Sequence, residues 1–272
     1  MELKERVATH KTISAELASL SNEDLMKLLQ NATSLGTTMG GTTAVIHISN
    51  TPIFVKKIRL TDIEQQPENK MSTANVFNLP VYYQYGIGSA GFGAWRELSA
   101  HTITTNWVIM GECPNFPILY HWRELPSNSI EHTDEVLQKL EEDVKSWGGN
   151  PAIRERIEAN QKASAEIILF LEHFPENVNQ WLAKELRKSN EEASAACMMV
   201  EHNLYTVIPF INERGLLHFD AHFWNILTDG KQLYFSDFGL AISKQFNLSQ
   251  EEIAFYNQHK HYDQYYIEAH LT

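Results

Sequence analysis

Cysteine is nearly absent from this chain: 272 residues hold two, Cys113 and Cys197. That argues against a disulfide framework, and no zinc-ligand spacing exists. No apolar run approaches the roughly 18 residues needed to span a bilayer. The N-terminal "MELKERVATHKTISAEL" is charged and lacks an apolar core, so it does not read as a secretory signal. The expectation is a soluble, cytoplasmic protein with no membrane partner. Positive charge is also scarce, 22 Lys and Arg against 34 Asp and Glu, for a net charge of −12. General nucleic-acid binding needs a basic face, and anionic membranes need one too, so both partners are argued against. Internal repeats and long low-complexity linkers are missing. What is present is 43% hydrophobic and 11% aromatic residues, enough for a packed globular protein of one large or two small domains.

Periodicity divides the chain. "SNEDLMKLLQNA" reads as a short helix capped by Ser21 or Asn22. Thr43–Ile48 and Ile53–Leu60 read as a hairpin split by the turn "SNTP", with a Gly- and Thr-rich lead-in, "LGTTMGGTTAV". Residues 94–101 are helix-like, and "FPILYHWREL" is a strand ended by Pro126. From there the character is helical: "HTDEVLQKLEEDVKSW", then a cap at Asn150-Pro151 and "AIRERIEANQKASAEIILFLEHF", read as helix up to Pro175. Two more helices follow. The expectation is an α+β chain with a β-rich unit over 1–125 and a helical unit over 126–272.

The stretch "LLHFDAHFWNILTDGKQLYFSDFGLA" carries the chemistry. Asp229-Gly230 signals a turn between "FWNIL" and "LYFSD", so Asn225 and Asp237 should meet at one end of a hairpin. A carboxylate and an amide oxygen suit Mg²⁺, which keeps phosphates and waters as its other ligands. Asp220, on the preceding loop, is placed to accept a proton. Together these are the parts that phosphoryl transfer requires.

These residues resemble the protein-kinase-like superfamily, which includes protein kinases and aminoglycoside/choline-type small-molecule kinases. His218, Asp220 and Asn225 match its H-x-D-x-x-x-x-N catalytic loop, and Asp237-Phe238-Gly239 matches its D-F-G, in the right order and distance. The stretches "FVKKIRLTDIE", "YYQYGIGSAGFGAWRELSAH" and "LYHWRELP" are similar to an uncharacterised bacterial branch of that superfamily. The resemblance implies a two-lobed fold, a β-rich N-terminal lobe that binds ATP and a helical C-terminal lobe, with a C-terminus shortened after Gly239. It implies Asp220 as the residue that orients or deprotonates the acceptor hydroxyl, and Asn225 and Asp237 as holders of Mg²⁺. It implies Lys56 on the nucleotide phosphates, with Lys57 as the competing position because neighbouring strand residues face opposite sides. Glu97 is the expected partner of that lysine; Glu64 and Glu68 are closer in sequence, but Pro67 disfavours a regular helix there. Gly36, Thr38, Gly40 and Gly41 stand where a phosphate-cradling glycine loop is expected, although the pattern is not G-x-G-x-x-G.

Two further sequence features stay open. His222 is either loop packing or an acceptor contact. Asp263 is either part of a weak metal cluster with His259 and His261 or a brace for the catalytic loop. The implied activity is transfer of the γ-phosphate of ATP to a hydroxyl, with protein Ser/Thr slightly favoured over a small molecule. A nucleotide-binding pseudokinase and an AMP transferase are the alternatives.

Overall fold

The computed structural model describes residues 2–38, 41–85, 89–130 and 133–271. Two helices come first, α1 (Leu3–Ser19) and α2 (Asn22–Gln30). Ser21 Oγ accepts the Asp24 N–H at 3.1 Å, which satisfies one of the donors left open at the start of α2. Leu25 and Leu29, four apart, bury that helix's apolar stripe. Three strands follow: β1 (Thr33–Thr38), β2 (Gly41–Ile48) and β3 (Thr51–Leu60). The β2–β3 turn puts Ser49 and Asn50 at φ 49° and 65°, the left-handed pair that a two-residue hairpin demands. After a long connection with a 3₁₀ turn at Val81–Tyr85 come α3 (Ala94–Ile109), β4 (Leu119–Pro126), α4 (Asp134–Ser146), α5 (Pro151–Lys162) and β5 (Ala165–Glu172).

The strands form one antiparallel sheet in the order β1-β2-β3-β5-β4. Here the helical reading of residues 151–174 is corrected. The helix ends at Lys162, and "AEIILFLE" is a strand inside the sheet. Its residues from Ile167 to Glu172 are all buried, because β5 is flanked by β3 and β4 and covered on both faces. A continuous apolar run of that length looks the same in a buried helix and a buried strand, so periodicity could not separate them. The division expected near residue 125 therefore does not coincide with the sheet, and residues 1–125 also carry three helices.

The rest of the chain is β6 (Glu176–Asn177), α6 (Val178–Glu185), α7 (Asn190–Glu213), β7 (Leu216–Leu217), β8 (Ile226–Thr228), β9 (Leu233–Phe235), β10 (Ile242–Ser243), α8 (Gln250–Gln258) and α9 (Tyr262–Leu271). The architecture is mixed α+β. β8 and β9 pair antiparallel through the Asp229-Gly230 turn, with Ile226 opposite Phe235. No helix among the described residues is long and apolar enough to cross a membrane.

Two excursions from the sheet pack on each other. Phe77, Leu79, Tyr83 and Phe92, from the β3–α3 connection, form one buried cluster with Ile153 of α5. Burying a large apolar side chain contributes about 1.5–3 kcal/mol, so five of them hold the two excursions together firmly. Both excursions reach the cleft described next.

Candidate active site

β3 is paired on both sides, so successive residues alternate faces and only one of its two lysines can point into the cleft. Lys56 is the one turned that way: itself buried, its Nζ lies 2.6 Å from Glu97 Oε1 and 2.8 Å from Asp237 Oδ1, two carboxylates that line the cleft. Lys57 lies on the opposite face, 3.9 Å from Glu166. Glu97 comes from the first turn of α3, and Asp237 follows β9. Three distant segments thus meet on one buried ammonium. Glu64 is elsewhere: it accepts the Ala94 N–H at the start of α3 and pairs with Arg156 at 2.9 Å.

The electrostatics follow from that geometry. Burial works against the charge on Lys56, but Asp237 and Glu97 outweigh it and raise its pKa above the ordinary lysine value. Burial also works against ionised Asp237, yet Lys56 and the Gly239 N–H hold this carboxyl down at about 2. Glu97 goes the other way. Burial, reinforced by the Asp237 charge, pushes it up to about 7 against the pull of Lys56. Asp237 is therefore firmly anionic. Its Oδ1 faces Lys56, and its side chain keeps 38% of its surface accessible.

Asp220 sits on a loop braced from below. Asp263 of α9 accepts the N–H groups of His218 and Phe219 at 2.7 and 2.8 Å. This fixes Phe219 at φ 64°, a left-handed conformation that costs a non-glycine residue about 1–3 kcal/mol and persists only where surroundings impose it. Phe219 stacks on Tyr262 at 4.4 Å between ring centres. His218 is fully buried, receives the Asp220 N–H on Nδ1 and lies 3.0 Å from Ser236 O through Nε2, so it packs the loop. Burial lowers its pKa to about 4, which keeps it neutral. Because both Asp263 oxygens accept backbone N–H groups, the brace reading of that residue is the one the geometry shows. No group of three or more His, Cys, Asp or Glu among the described residues could hold a metal ion.

Asn225 Nδ2 donates to Asp220 Oδ2 at 2.8 Å and to Asp220 O at 3.1 Å. With its nitrogen so engaged, the amide oxygen is turned away from Asp220. His222 Nε2 is 3.6 Å from Asp220 Oδ1, and its buried Nδ1 has no hydrogen-bond partner among the described residues. Burial raises the Asp220 pKa, with Asp237 adding to the effect and His222 and Asn225 opposing it. Asp237 also has positive φ, 60°, so strained backbone lies at or next to both carboxylates.

Glu97, Asp220, Asn225 and Asp237 line a cleft of about 520 Å³. Of the expected glycine-loop residues, Gly41 lines it too; a Cβ there would come 2.0 Å from Lys57 O, so only glycine fits. Gly36 sits at a β1 bulge with open space beside it. Thr38 belongs to β1, and Gly40 lies outside the described residues. Gly91 presses on the loop after Asp237, where an added Cβ would lie 2.4 Å from Gly239 O.

Several cleft residues were not anticipated. Tyr85, Tyr262 and Tyr266 form an aromatic wall beside Asp220, and Arg156 and Asn160 of α5 line the cleft too. His101, one turn after Glu97, packs its ring on Phe238 at 5.0 Å with both nitrogens buried and unpartnered among the described residues. The four-residue spacing Glu97–His101 was the available signal for a shared helix face. No family model matches the chain, and no curated protein matches it.

Proposed function

We propose that this protein is an ATP- and Mg²⁺-dependent phosphotransferase with a two-lobed, protein-kinase-like fold. One observation carries the reading: Lys56 bridges Glu97 and Asp237 while Asn225 holds Asp220 beside them, in a single cleft. An ammonium held by two carboxylates suits a triphosphate, because it stays charged and positioned. The donor set near Asp237 is a firmly ionised carboxylate and an amide oxygen, which fits Mg²⁺ better than a nitrogen- or sulfur-preferring metal. Asn225 and Asp237 would hold the ion, whose charge would neutralise the phosphates.

In this reading the acceptor oxygen forms a bond to the γ-phosphorus, the bond to the β–γ bridging oxygen breaks, and ADP leaves. Asp220 takes the hydroxyl proton, and its raised pKa makes it a better base than an ordinary carboxylate. Tyr85, Tyr262 and Tyr266 confine the space beside Asp220. Tyr85 also hydrogen-bonds His259, tying the β3–α3 connection to the C-terminal helices. That enclosure favours a small hydroxylated molecule over an extended protein segment. Incubation with γ- and α-labelled ATP tests the reaction class. Product labelled from the γ position alone supports the proposal. Label from the α position makes the protein an AMP transferase, and bound nucleotide with no labelled product makes it a pseudokinase.

A further inference from the structure

Part of the cleft lining comes from α5 and from the segment just before α3. Arg156 dominates it. Its side chain is 2% exposed yet lines the cleft. Nη1 donates to Glu64 Oε2 at 2.9 Å, and Nε reaches Gly91 O at 3.5 Å, while Nη2 donates to no described residue. The Glu64 carboxylate is shared with three other donors, the Thr61 N–H, the Thr61 hydroxyl and the Ala94 N–H. The pair is neutral in net charge, and what the guanidinium still offers is the N–H edge that Glu64 does not take. One turn on, Asn160 also lines the cleft, and its Oδ1 is buried with no partner among the described residues. An amide can present either its oxygen or its nitrogen by rotation. Positions 156 and 160 share a helix face, so both groups point the same way.

Buried polar groups are nearly always hydrogen-bonded, and leaving one unsatisfied is costly. Asn160 Oδ1 is one such group, and one turn away Arg156 lines the same cleft with an Nη2 that donates to no described residue; together they point to a ligand that completes them. Their position fixes where that ligand sits. Arg156 touches Gly91, and Gly91 lies against Gly239, two residues from Asp237. A guanidinium fork matches the planar oxygens of a carboxylate and also suits a phosphate.

We propose that Arg156 and Asn160 are the acceptor-recognition residues of this cleft, and that the acceptor is a small molecule whose hydroxyl is tethered to a carboxylate or phosphate group. The proposal rests on the phosphotransferase reading. The anion docks on α5 while the hydroxyl extends toward Asp220. The two excursions from the sheet then have a shared purpose: their common apolar cluster includes Phe77, over which the Arg156 guanidinium lies at 5.1 Å, and Phe92, next to Gly91.

The test is calorimetric titration of the full chain, loaded with Mg–ADP, with L-malate, glycerol 3-phosphate and, as an uncharged control, glycerol. One or both anions should bind and glycerol should not. Arg156→Lys keeps a charge beside Glu64 but removes the fork, and Asn160→Ala leaves Glu64 untouched. Each should weaken the anion by roughly ten- to a hundredfold, the effect of losing a hydrogen bond to a charged group, with Mg–ADP affinity unchanged. If Arg156→Lys does not fold, as judged by melting, Asn160→Ala carries the comparison alone. The proposal is overturned if neither anion binds the Mg–ADP form, or if folded variants bind them as the wild type does. It is also overturned if Arg156→Lys weakens Mg–ATP but not Mg–ADP, which would assign the site to the nucleotide's γ-phosphate. Wild-type protein that binds the anions but not Mg–ADP would instead overturn the phosphotransferase reading, and the acceptor role with it.

Discussion

Two buried cations, Lys56 and Arg6, are equally hidden from water and are treated in opposite ways. Arg6 of α1 is 1% exposed. It makes a bidentate pair with Glu172 at 2.9 and 2.8 Å, and donates to Pro114 O and Phe116 O at 2.6 Å each. The Tyr234 ring lies under it at 5.0 Å. Glu172 in turn accepts the Ile118 N–H. Around Lys56 the groups are only partly matched. Glu97 Oε1 is close enough for an ion pair but lacks hydrogen-bond geometry, and both nitrogens of neighbouring His101 are unpartnered among the described residues. Buried ions are tolerated when their hydrogen-bonding capacity is filled. The Arg6 cluster is filled and ties α1 to the end of β5. The Lys56 cluster is not: Glu97 Oε1 and both His101 nitrogens are buried without hydrogen-bond partners among the described residues.

The largest way to break this contrast is to remove Asp220, the proposed proton acceptor. Asp220→Asn should lower transfer by about a hundred- to ten-thousandfold, the usual contribution of a positioned base. Nucleotide affinity should be nearly unchanged, because the residue acts in the transition state. Turnover, ATP affinity and melting temperature measured on the same samples decide it. Full turnover in the folded mutant would remove Asp220 from the chemistry.

Arg6→Met should do the reverse. It strands Glu172 in the interior, and stranding one partner of a buried pair costs about 3–5 kcal/mol of stability. Activity per folded molecule should hold. The double mutant Arg6→Met with Glu172→Met should recover much of the loss, since it removes the stranded charge. Denaturant unfolding of the three proteins gives the answer. If the single mutant were as stable as the wild type, the filled cluster would not be the structural anchor described here.

How much of this was readable in the sequence differs between the two clusters, for a physical reason. Lys56, Glu97, Asp220, Asn225 and Asp237 lie in local patterns: a strand lysine, a helix glutamate, and a hairpin whose turn is marked by Asp229-Gly230. The fold brings those five together. Arg6 and Glu172 are 166 residues apart, and neither sits in a pattern. β5 was misread as helix because its burial on both faces removes the alternation that marks a strand. Arg156 and Asn160 lie in the helix that the sequence marks after Asn150-Pro151, but nothing local tells that packing turns them to the cleft. The glycine-rich stretch suggested a phosphate-cradling loop; its described glycines, Gly36 and Gly41, lie in β1 and β2.

Glu97 gives a pH test. Its folded pKa, about 7, lies above the ordinary value of 4.5, so the folded state binds this proton more tightly than the unfolded state does. For a raised carboxyl the linked stability is fully present below about 4.5 and is lost as pH rises toward 7. Asp263, pushed up to about 6 by burial, adds in the same direction from 3.8 upward. Glu97→Gln should therefore flatten the fall in stability between pH 4.5 and 7, leaving the parts from the raised Asp263 and Asp220 and the opposing part from the lowered histidines. An unfolding series across that window with an unchanged slope would show that Lys56 keeps Glu97 ionised throughout.

The smallest expected effect is at His101. Burial, helped by the Lys56 charge, lowers its pKa to about 3, so it is neutral at any working pH and contributes no ion pair to Glu97, 3.9 Å away. Its two nitrogens lack partners among the described residues, and an unsatisfied buried polar group costs about 1–3 kcal/mol. His101→Leu removes both at similar volume and keeps an apolar contact with Phe238. The mutant should be more stable, by about 1 kcal/mol after the loss of the ring contact. If the histidine only packs, turnover should not change. If it serves the open cluster by hydrogen-bonding Glu97 once a ligand engages Lys56, kcat should fall while the melting temperature rises. A mutant that melts lower than the wild type would show that His101 is satisfied in solution, and the contrast between a filled Arg6 cluster and an open Lys56 cluster would lose its clearest member.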